Sequence, residues 1–165
     1  MGFFDKFKKN DTIPVTDSKD IVAPVKGMMI PPSEISDPVF AQEVMGQTIG
    51  FVPEEETIVC PVNGKVEVLF PTNHAFGIRD AFGTVFLVHI GIDTVSLNGK
   101  GFKAFIKAGD QVKAGQKAVE IDTKKLKNAG YDLTTMLIVS EKETEDFKVN
   151  YIPYGTVEKG QKINV

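Results

Sequence analysis

Short apolar runs separated by turn residues constrain the fold of this chain more than any other feature of its sequence. Each run holds three to seven residues, and Gly, Pro or Asn stands near most of its ends. The runs cover residues 21–25, 48–52, 57–62, 65–70, 84–90, 117–121, 135–139 and 155–157. Runs of strand length at this spacing are typical of all-β proteins. We therefore predict an all-β fold, an antiparallel β-sandwich or barrel.

Signals for helices are few and short, and they cover residues 37–46, 122–129 and 141–148. Asp37 before Pro38 has the order of an N-cap and a first helical residue, and Ser140 has a capping side chain before the third segment. We expect a few short helices added to a β-sheet body.

Two segments of the sequence occur twice. Residues 21–27 return as residues 58–64, and residues 112–117 return as residues 157–162. Two copies at unequal spacing do not make an open solenoid, so we predict a duplicated motif whose two intertwined halves close one core. In this alignment Cys60 takes the place of Ala23, which predicts a small core residue rather than a reactive thiol.

The composition excludes several classes of protein. A single Cys cannot form an intrachain disulfide, and with two His it cannot complete a Cys/His zinc site. Beyond residue 10 the chain holds 16 basic and 21 acidic side chains, a net charge of -5, whereas a nucleic-acid surface would be basic. Arg79 is the only Arg, so phosphate chemistry would depend on His, hydroxyl groups and backbone amides.

The N-terminal segment differs from the rest of the chain. Phe3 and Phe7 stand four residues apart among three Lys, which on a helix would give an amphipathic surface for a membrane. We expect residues 1–20 to be a flexible tail, with residues 1–9 either touching a membrane or disordered, and residues 21–165 to form one domain. Since neither an apolar span nor a signal peptide is present, a cytoplasmic protein is expected.

Both histidines fall in one predicted hairpin. His89 interrupts the apolar run 84–90, His74 lies in the preceding segment, and a turn at residues 80–83 joins the two. A turn centred between residues 81 and 82 would pair His74 directly with His89. We therefore expect the two imidazoles to meet across the strand pair.

Two adjacent imidazoles permit a phosphohistidine site. One ring can attack phosphorus through one nitrogen while its other nitrogen is held as a donor, and the second ring can donate to the group that the first carries. Thr72 adds a hydroxyl beside His74, and Gly91 leaves room for a phosphoryl oxygen. Two other interpretations stay open: a pair of ordinary core histidines, and a zinc hydrolase site formed by His74, His89 and Asp93.

Longer motifs around these residues resemble a known family. They are Asp-Pro-Val-Phe at residues 37–40, Thr-Asn-His-Ala-Phe at 72–76, Val-His-Ile-Gly-Ile-Asp-Thr-Val at 88–95 and Leu-Asn-Gly-Lys-Gly-Phe at 97–102. They are similar to the glucose-type enzyme IIA of the bacterial phosphotransferase system, and the similarity runs from about residue 20 to the C-terminus.

The resemblance implies a phosphoryl relay. His89 would accept a phosphoryl group on Nε2 from the phosphocarrier protein HPr and pass it to a cysteine on the IIB domain of a glucose-type sugar permease. His74 would donate a hydrogen bond to the phosphoryl group, and Thr72 would orient His74. No cofactor is required in this relay, and zinc would bind at His74 and His89 only with a ligand from a partner.

The resemblance also implies how partners dock. Asp37 and Asp93 would pair with basic side chains of a partner. Six apolar residues would form a collar around the site, namely Val39, Phe40, Phe70, Phe76, Phe86 and Val95, with a core position as the alternative for Phe86. The length leaves no room for a IIB or IIC domain, so a stand-alone monomer is expected. A second interpretation is a regulatory module whose phosphorylation state is sensed by other proteins.

Overall fold

The computed structural model describes residues 18–165, which form mostly β-strands. The strands are β1 (Gly27–Ile30), β2 (Gln47–Pro53), β3 (Thr57–Val59), β4 (Gly64–Leu69), β5 (Ala75–Arg79), β6 (Val85–Ile90), β7 (Phe102–Ala104), β8 (Gln111–Val112), β9 (Lys117–Ile121), β10 (Thr135–Glu141) and β11 (Gly155–Val157). The helices are α1 (Pro38–Ala41) and α2 (Thr123–Asn128), with 3-10 turns at Pro32–Glu34 and Thr94–Leu97. The prediction for residues 1–9 lies outside the described residues. No helix within residues 18–165 has the length and apolar character needed to cross a membrane.

The strands form two antiparallel sheets. The large sheet has the order β11-β1-β2-β10-β6-β5-β4-β8, and the small one has the order β3-β9-β7. Neither sheet closes into a barrel in the described part of the chain. The predicted all-β class is confirmed, and of its two forms the sandwich is the correct one.

The large sheet is covered by apolar side chains on both faces. One face belongs to the main core, whose largest members include Phe51, Ile58, Phe76, Phe86, Ile121 and Leu137. The other face carries a second cluster of Ile30, Ile35, Phe40, Leu87, Met136 and Ile138. Phe86 and Leu87 are successive residues of β6 and enter different clusters, as the alternation of side chains along a strand requires. His89 lies on the same side of β6 as Leu87.

The structure contains the duplicated motif that the repeats predict. The backbone N–H of Ala23 donates to the carbonyl of Gln161 at 2.8 Å, and that of Cys60 donates to the carbonyl of Gln116 at the same distance. These four residues occupy equivalent positions in the repeats. The large sheet shows the same relation, because β11, β1 and β2 at one end correspond to β8, β4 and β5 at the other. The two halves therefore interleave along the chain.

Cys60 is a core residue, as its match to Ala23 predicts. Its side chain is buried, and burial raises the pKa of the thiol to about 12. The thiolate is therefore absent at neutral pH, and the reactivity that depends on it is absent too.

The predicted helix over residues 141–148 is wrong. Strand β10 continues past Ser140, whose Oγ donates to the carbonyl of Val85 at 3.3 Å instead of capping a helix. The N–H of Glu143 donates to Thr84 Oγ1 at 3.1 Å and holds the next loop against the start of β6. Pairing with a distant strand outweighs the local preference for a helix.

The first predicted helix is shorter than residues 37–46. Asp37 caps α1 as expected, since its carboxylate accepts a hydrogen bond from the Val39 N–H at 2.8 Å. The helix stops after four residues, and Glu43 then adopts a left-handed backbone with φ of 56°. The prediction at residues 122–129 is confirmed by α2.

Replacing Gly64 by Ala is expected to destabilise the fold by about 2–3 kcal/mol, because a Cβ there would lie 2.2 Å from the carbonyl oxygen of Arg79. Gly77→Ala in β5 is the control, since its Cβ would approach nothing closer than the Val68 side chain at 3.3 Å. Urea unfolding measures both free energies. Equal losses in the two variants would contradict the explanation by close approach.

Candidate functional site

His89 is held with one defined ring nitrogen free. It lies near the end of β6, and its Nδ1 is 2.9 Å from the carbonyl oxygen of Gly91. A carbonyl oxygen only accepts hydrogen bonds, so this contact requires the proton on Nδ1. In the neutral ring Nε2 then carries the lone pair, which is the state that a nucleophile needs.

The surroundings of His89 keep its ring neutral. Burial is the largest cause, and the neighbouring His74 adds to it, so the pKa of His89 falls from 6.5 to about 4. The hydrogen bond to Gly91 and the charges of Asp37 and Asp93 raise the pKa but offset only part of the fall. At pH 7 the imidazole is therefore unprotonated at Nε2.

His74 faces His89 from the segment before β5. The ring centroids are 5.0 Å apart and the ring planes are nearly perpendicular, at 82°. Thr72 Oγ1 lies 2.6 Å from His74 Nδ1. Burial lowers the pKa of His74, which favours the neutral ring. If the Thr72 hydroxyl donates to Nδ1, the proton of His74 stands on Nε2, and the ring becomes a hydrogen-bond donor.

The histidines meet, but the predicted register is wrong by one residue. Ala75, not His74, pairs with His89 between β5 and β6. His74 lies just outside β5, where its carbonyl accepts a hydrogen bond from the Ile90 N–H at 2.7 Å. Asn73 has a left-handed φ of 60°, so Thr72 reaches His74 through a turn and not along an extended strand.

Aromatic rings pack against both imidazoles. The ring centroid of Phe40 is 4.9 Å from that of His89, and the centroid of Phe70 is 5.6 Å from that of His74. Phe40 is buried, whereas Val39 and Val95 expose 45% and 54% of their surface. Of the six residues predicted for the apolar collar, Phe40 and Phe70 therefore pack against the histidines, and Val39 and Val95 are exposed.

Phe76 and Phe86 do not fit the predicted collar. Both side chains are buried in the main core, with 0% and 1% of their surface exposed. Phe86 lies on the face of β6 opposite to His89, because the two residues are three positions apart along a strand whose side chains alternate between faces. A docking partner has no surface of either ring to contact, so their assignment to the collar is corrected to a core position.

Two acidic side chains, Asp37 and Asp93, lie close enough to act on the His89 ring. Asp93 is exposed and Asp37 is half-buried. Arg79 is taken up at the far end of β5, where it forms ion pairs with Glu67 at 3.2 Å and with Glu141 at 3.0 Å. Within residues 18–165 no group of three or more His, Cys, Asp or Glu side chains is arranged to hold a metal ion.

The His89 imidazole is expected to titrate near pH 4 in an NMR pH series, because burial disfavours its charged form. The unfolded chain has the ordinary pKa of about 6.5, so it binds more protons than the folded protein between the two values. Stability should fall as the pH drops from about 6.5 to about 4, by on the order of 3 kcal/mol from this residue. His89→Gln should remove that part of the slope in urea titrations. A midpoint near 6.5 would contradict the effect of burial.

Comparison with known proteins identifies related chains. The family model described as phosphoenolpyruvate-dependent sugar phosphotransferase system, EIIA 1, matches residues 19–145. The chain is 41% identical over 140 residues to the PTS system glucose-specific EIICBA component of Staphylococcus saprophyticus, covering 85% of this chain and 21% of that protein. It therefore spans about a fifth of the length of that curated relative. The solved structure of glucose permease IIA from Mycoplasma capricolum superimposes with a TM-score of 0.81 at 33% identity, over 88% of this chain and 93% of the other.

Proposed function

Because the chain belongs to the EIIA 1 family of the phosphoenolpyruvate-dependent sugar phosphotransferase system, we propose that it carries a phosphoryl group on His89 from phospho-HPr to the IIB domain of a glucose-type permease. The resemblance noted in the sequence is thereby confirmed at the level of the family. The observation that carries the proposal is the neutral His89 ring, with Nδ1 bonded to the Gly91 carbonyl and Nε2 free beside His74.

The accepting step needs no proton transfer at His89. The Nε2 lone pair attacks phosphorus, the bond between phosphorus and the donor atom of HPr breaks, and the donor atom keeps the electron pair. The proton on Nδ1 stays in its bond to Gly91 throughout. Catalysis is then mainly a matter of placing the donor in line with Nε2, as is typical of phosphoryl transfer.

The donating step uses the same proton. A cysteine thiolate of IIB attacks phosphorus, and the bond from phosphorus to Nε2 breaks with its electrons returning to the ring. Because Nδ1 is already protonated, His89 leaves as a neutral imidazole. His74 Nε2 donates a hydrogen bond to a phosphoryl oxygen in the bound state, supported by Thr72 at Nδ1.

The partners complete the site. The phosphoryl group adds a charge of about -1.5 to -2 near Asp37 and Asp93, and the only Arg of the chain is engaged elsewhere. Basic side chains of HPr and IIB therefore supply the compensating charge, and they pair with the two aspartates at the rim. Val39, Phe70 and Val95 provide the exposed apolar contact surface, and the buried Phe40 packs against His89.

A regulatory role is a second candidate on the same surface. Val39 and Val95 are exposed, and the histidine pair is uncharged, with His74 buried and His89 half-buried. Phosphorylation of His89 places a dianion among these apolar side chains. Burying that charge under an apolar partner is unfavourable, so the phosphorylated surface stays exposed to solvent. A partner that senses sugar import would thus bind the unphosphorylated form. A cytoplasmic, monomeric protein is part of the same proposal.

The direct test incubates the protein with radiolabelled phosphoenolpyruvate, enzyme I and HPr. The protein is expected to gain one phosphoryl group per chain that is labile in acid and stable in base, as a phosphoramidate bond is. A protein that stays unlabelled while HPr is labelled would overturn the proposed function.

A further inference from the structure

Asp132 forms a compact set of hydrogen bonds close to the site. The residue is exposed and lies three residues before β10. Its Oδ1 accepts from the N–H of Thr134 at 2.9 Å and from Thr134 Oγ1 at 2.7 Å. Its Oδ2 accepts from Ser36 Oγ at 3.0 Å. One carboxylate therefore joins the start of β10 to the segment that precedes α1.

The backbone of Asp132 holds the peptide group that orients His89. The peptide between Gly91 and Ile92 accepts from His89 Nδ1 through its oxygen and donates to the Asp132 carbonyl through its N–H, at 2.9 Å in each case. Because a peptide group is planar, fixing its N–H also fixes the direction of its oxygen. The Thr134 carbonyl holds the other side of Gly91, whose N–H donates to it at 3.1 Å.

Gly91 is fitted closely between its neighbours. Its φ of +80° favours glycine, and a Cβ there would lie 3.2 Å from the Asp132 carbonyl oxygen and 2.5 Å from the Thr94 methyl carbon. A displacement of the Asp132 backbone would therefore displace Gly91 as well.

The bond to Ser36 reaches the other side of the His89 ring. Ser36 directly precedes Asp37, the N-cap of α1, and α1 carries Phe40. The Phe40 ring packs against His89 with a centroid distance of 4.9 Å. Asp132 thus ties together the two elements that contact the acceptor ring, one through a hydrogen bond and the other through packing.

We propose that Asp132 is a positioning residue for His89: through Thr134, Ser36 and its own carbonyl it fixes the Gly91 oxygen and α1, so that Nδ1 stays the donor and Nε2 the acceptor of phosphorus. The inference rests on the proposed function for its consequence in phosphoryl transfer, but the effect on the ring does not. Burial raises the pKa of Asp132, and the bonds from Thr134 and Ser36 more than offset this and leave the pKa below its usual value. The carboxylate is therefore a charged acceptor at neutral pH.

Asp132→Ala tests the proposal through the tautomer of His89. Imidazole 15N shifts of the wild-type protein should show Nδ1 protonated and Nε2 unprotonated. The variant should shift toward the tautomer protonated on Nε2, and its phosphoryl acceptance from phospho-HPr should slow roughly tenfold, the scale seen when a partner that orients a histidine is removed. Unchanged shifts would overturn the inference even if the wild-type protein is phosphorylated. A shifted tautomer in a protein that is never phosphorylated would support the inference and overturn the proposed function.

Two further variants separate positioning from general stability. Asp132→Asn keeps an oxygen that can accept from Thr134, so it should restore most of the wild-type shifts, and failure to do so would contradict the role as acceptor. Asp80→Ala is the matched control at the other end of β6, where Asp80 Oδ1 accepts from the N–H groups of Phe82 and Thr84 at 2.9 and 3.0 Å. An equal change of the His89 shifts in Asp80→Ala would overturn the specific role of Asp132.

Discussion

His89→Ala is expected to lose phosphoryl acceptance from phospho-HPr altogether, a fall of at least about a thousandfold in the rate of labelling. The reason is chemical, because no other side chain presents a free ring nitrogen at this surface. His74 cannot replace it, since that residue exposes only 3% of its surface and its Nδ1 is engaged by Thr72. Labelling with radioactive phosphoenolpyruvate, enzyme I and HPr measures the loss.

His89→Gln is the second variant for the same experiment. Gln keeps an amide near the position of Nε2 but has no nucleophilic lone pair on nitrogen, so it too should remain unlabelled while its circular dichroism stays that of the wild type. Acid-labile label retained in either variant would show that the acceptor is another residue, and His74 would then be tested next.

Local pattern predicts much of this fold, and the strands that it misses have physical reasons. Strand β5 is not among the predicted runs because Gly77 and Arg79 interrupt it, yet pairing on both sides buries it. Strands β7 and β8 have only three and two residues, too few to show alternation. The run 21–25 forms only an isolated bridge at Val22, and β1 begins two residues beyond its end. The predicted helix at 141–148 is wrong because strand β10 continues into a segment whose composition favours a helix.

The pairing of the two histidines is predictable, but its register is not. The hairpin loop is one residue longer than a turn centred between residues 81 and 82 allows, because Asp80 bonds to the N–H groups of both Phe82 and Thr84. The loop therefore closes between Asp80 and Thr84, and Ala75 moves opposite His89. The alternation along β6 indicates that Phe86 faces away from His89, which is the position that the structure has, whereas the family resemblance implies a place in the collar.

The hydrogen bond from His89 to Gly91 has only a weak signal in the sequence. That Gly91 leaves room for a phosphoryl oxygen stays a prediction, since its close neighbours in the structure are Thr94 and the Asp132 carbonyl. The sequence does not identify Gly91 as the acceptor of the Nδ1 proton. The support from Asp132 has no local signal, because it depends on β10 lying beside β6 in the sheet. The local motif therefore identifies His89 as the candidate acceptor, whereas long-range strand pairing determines how its ring is oriented.

His74→Gln is expected to accept the phosphoryl group at close to the normal rate and to pass it to IIB roughly a hundredfold more slowly. The Gln amide can donate a hydrogen bond near the position of Nε2, so the bound phosphoryl group keeps a ground-state partner. It has no Nδ1 for Thr72 to support, and it cannot take up positive charge as the phosphoryl group leaves His89. The transition state of the donating step thus loses stabilisation that the accepting step does not need. Single-turnover transfer from the isolated phosphoprotein to purified IIB measures this rate.

Thr72→Val is the matched variant, because it keeps the side-chain shape and the imidazole of His74 but removes the hydroxyl, and it should slow the same step by roughly tenfold. Loss of acceptance in His74→Gln, or donation at the normal rate, would show that His74 has a different role from the one its geometry supports.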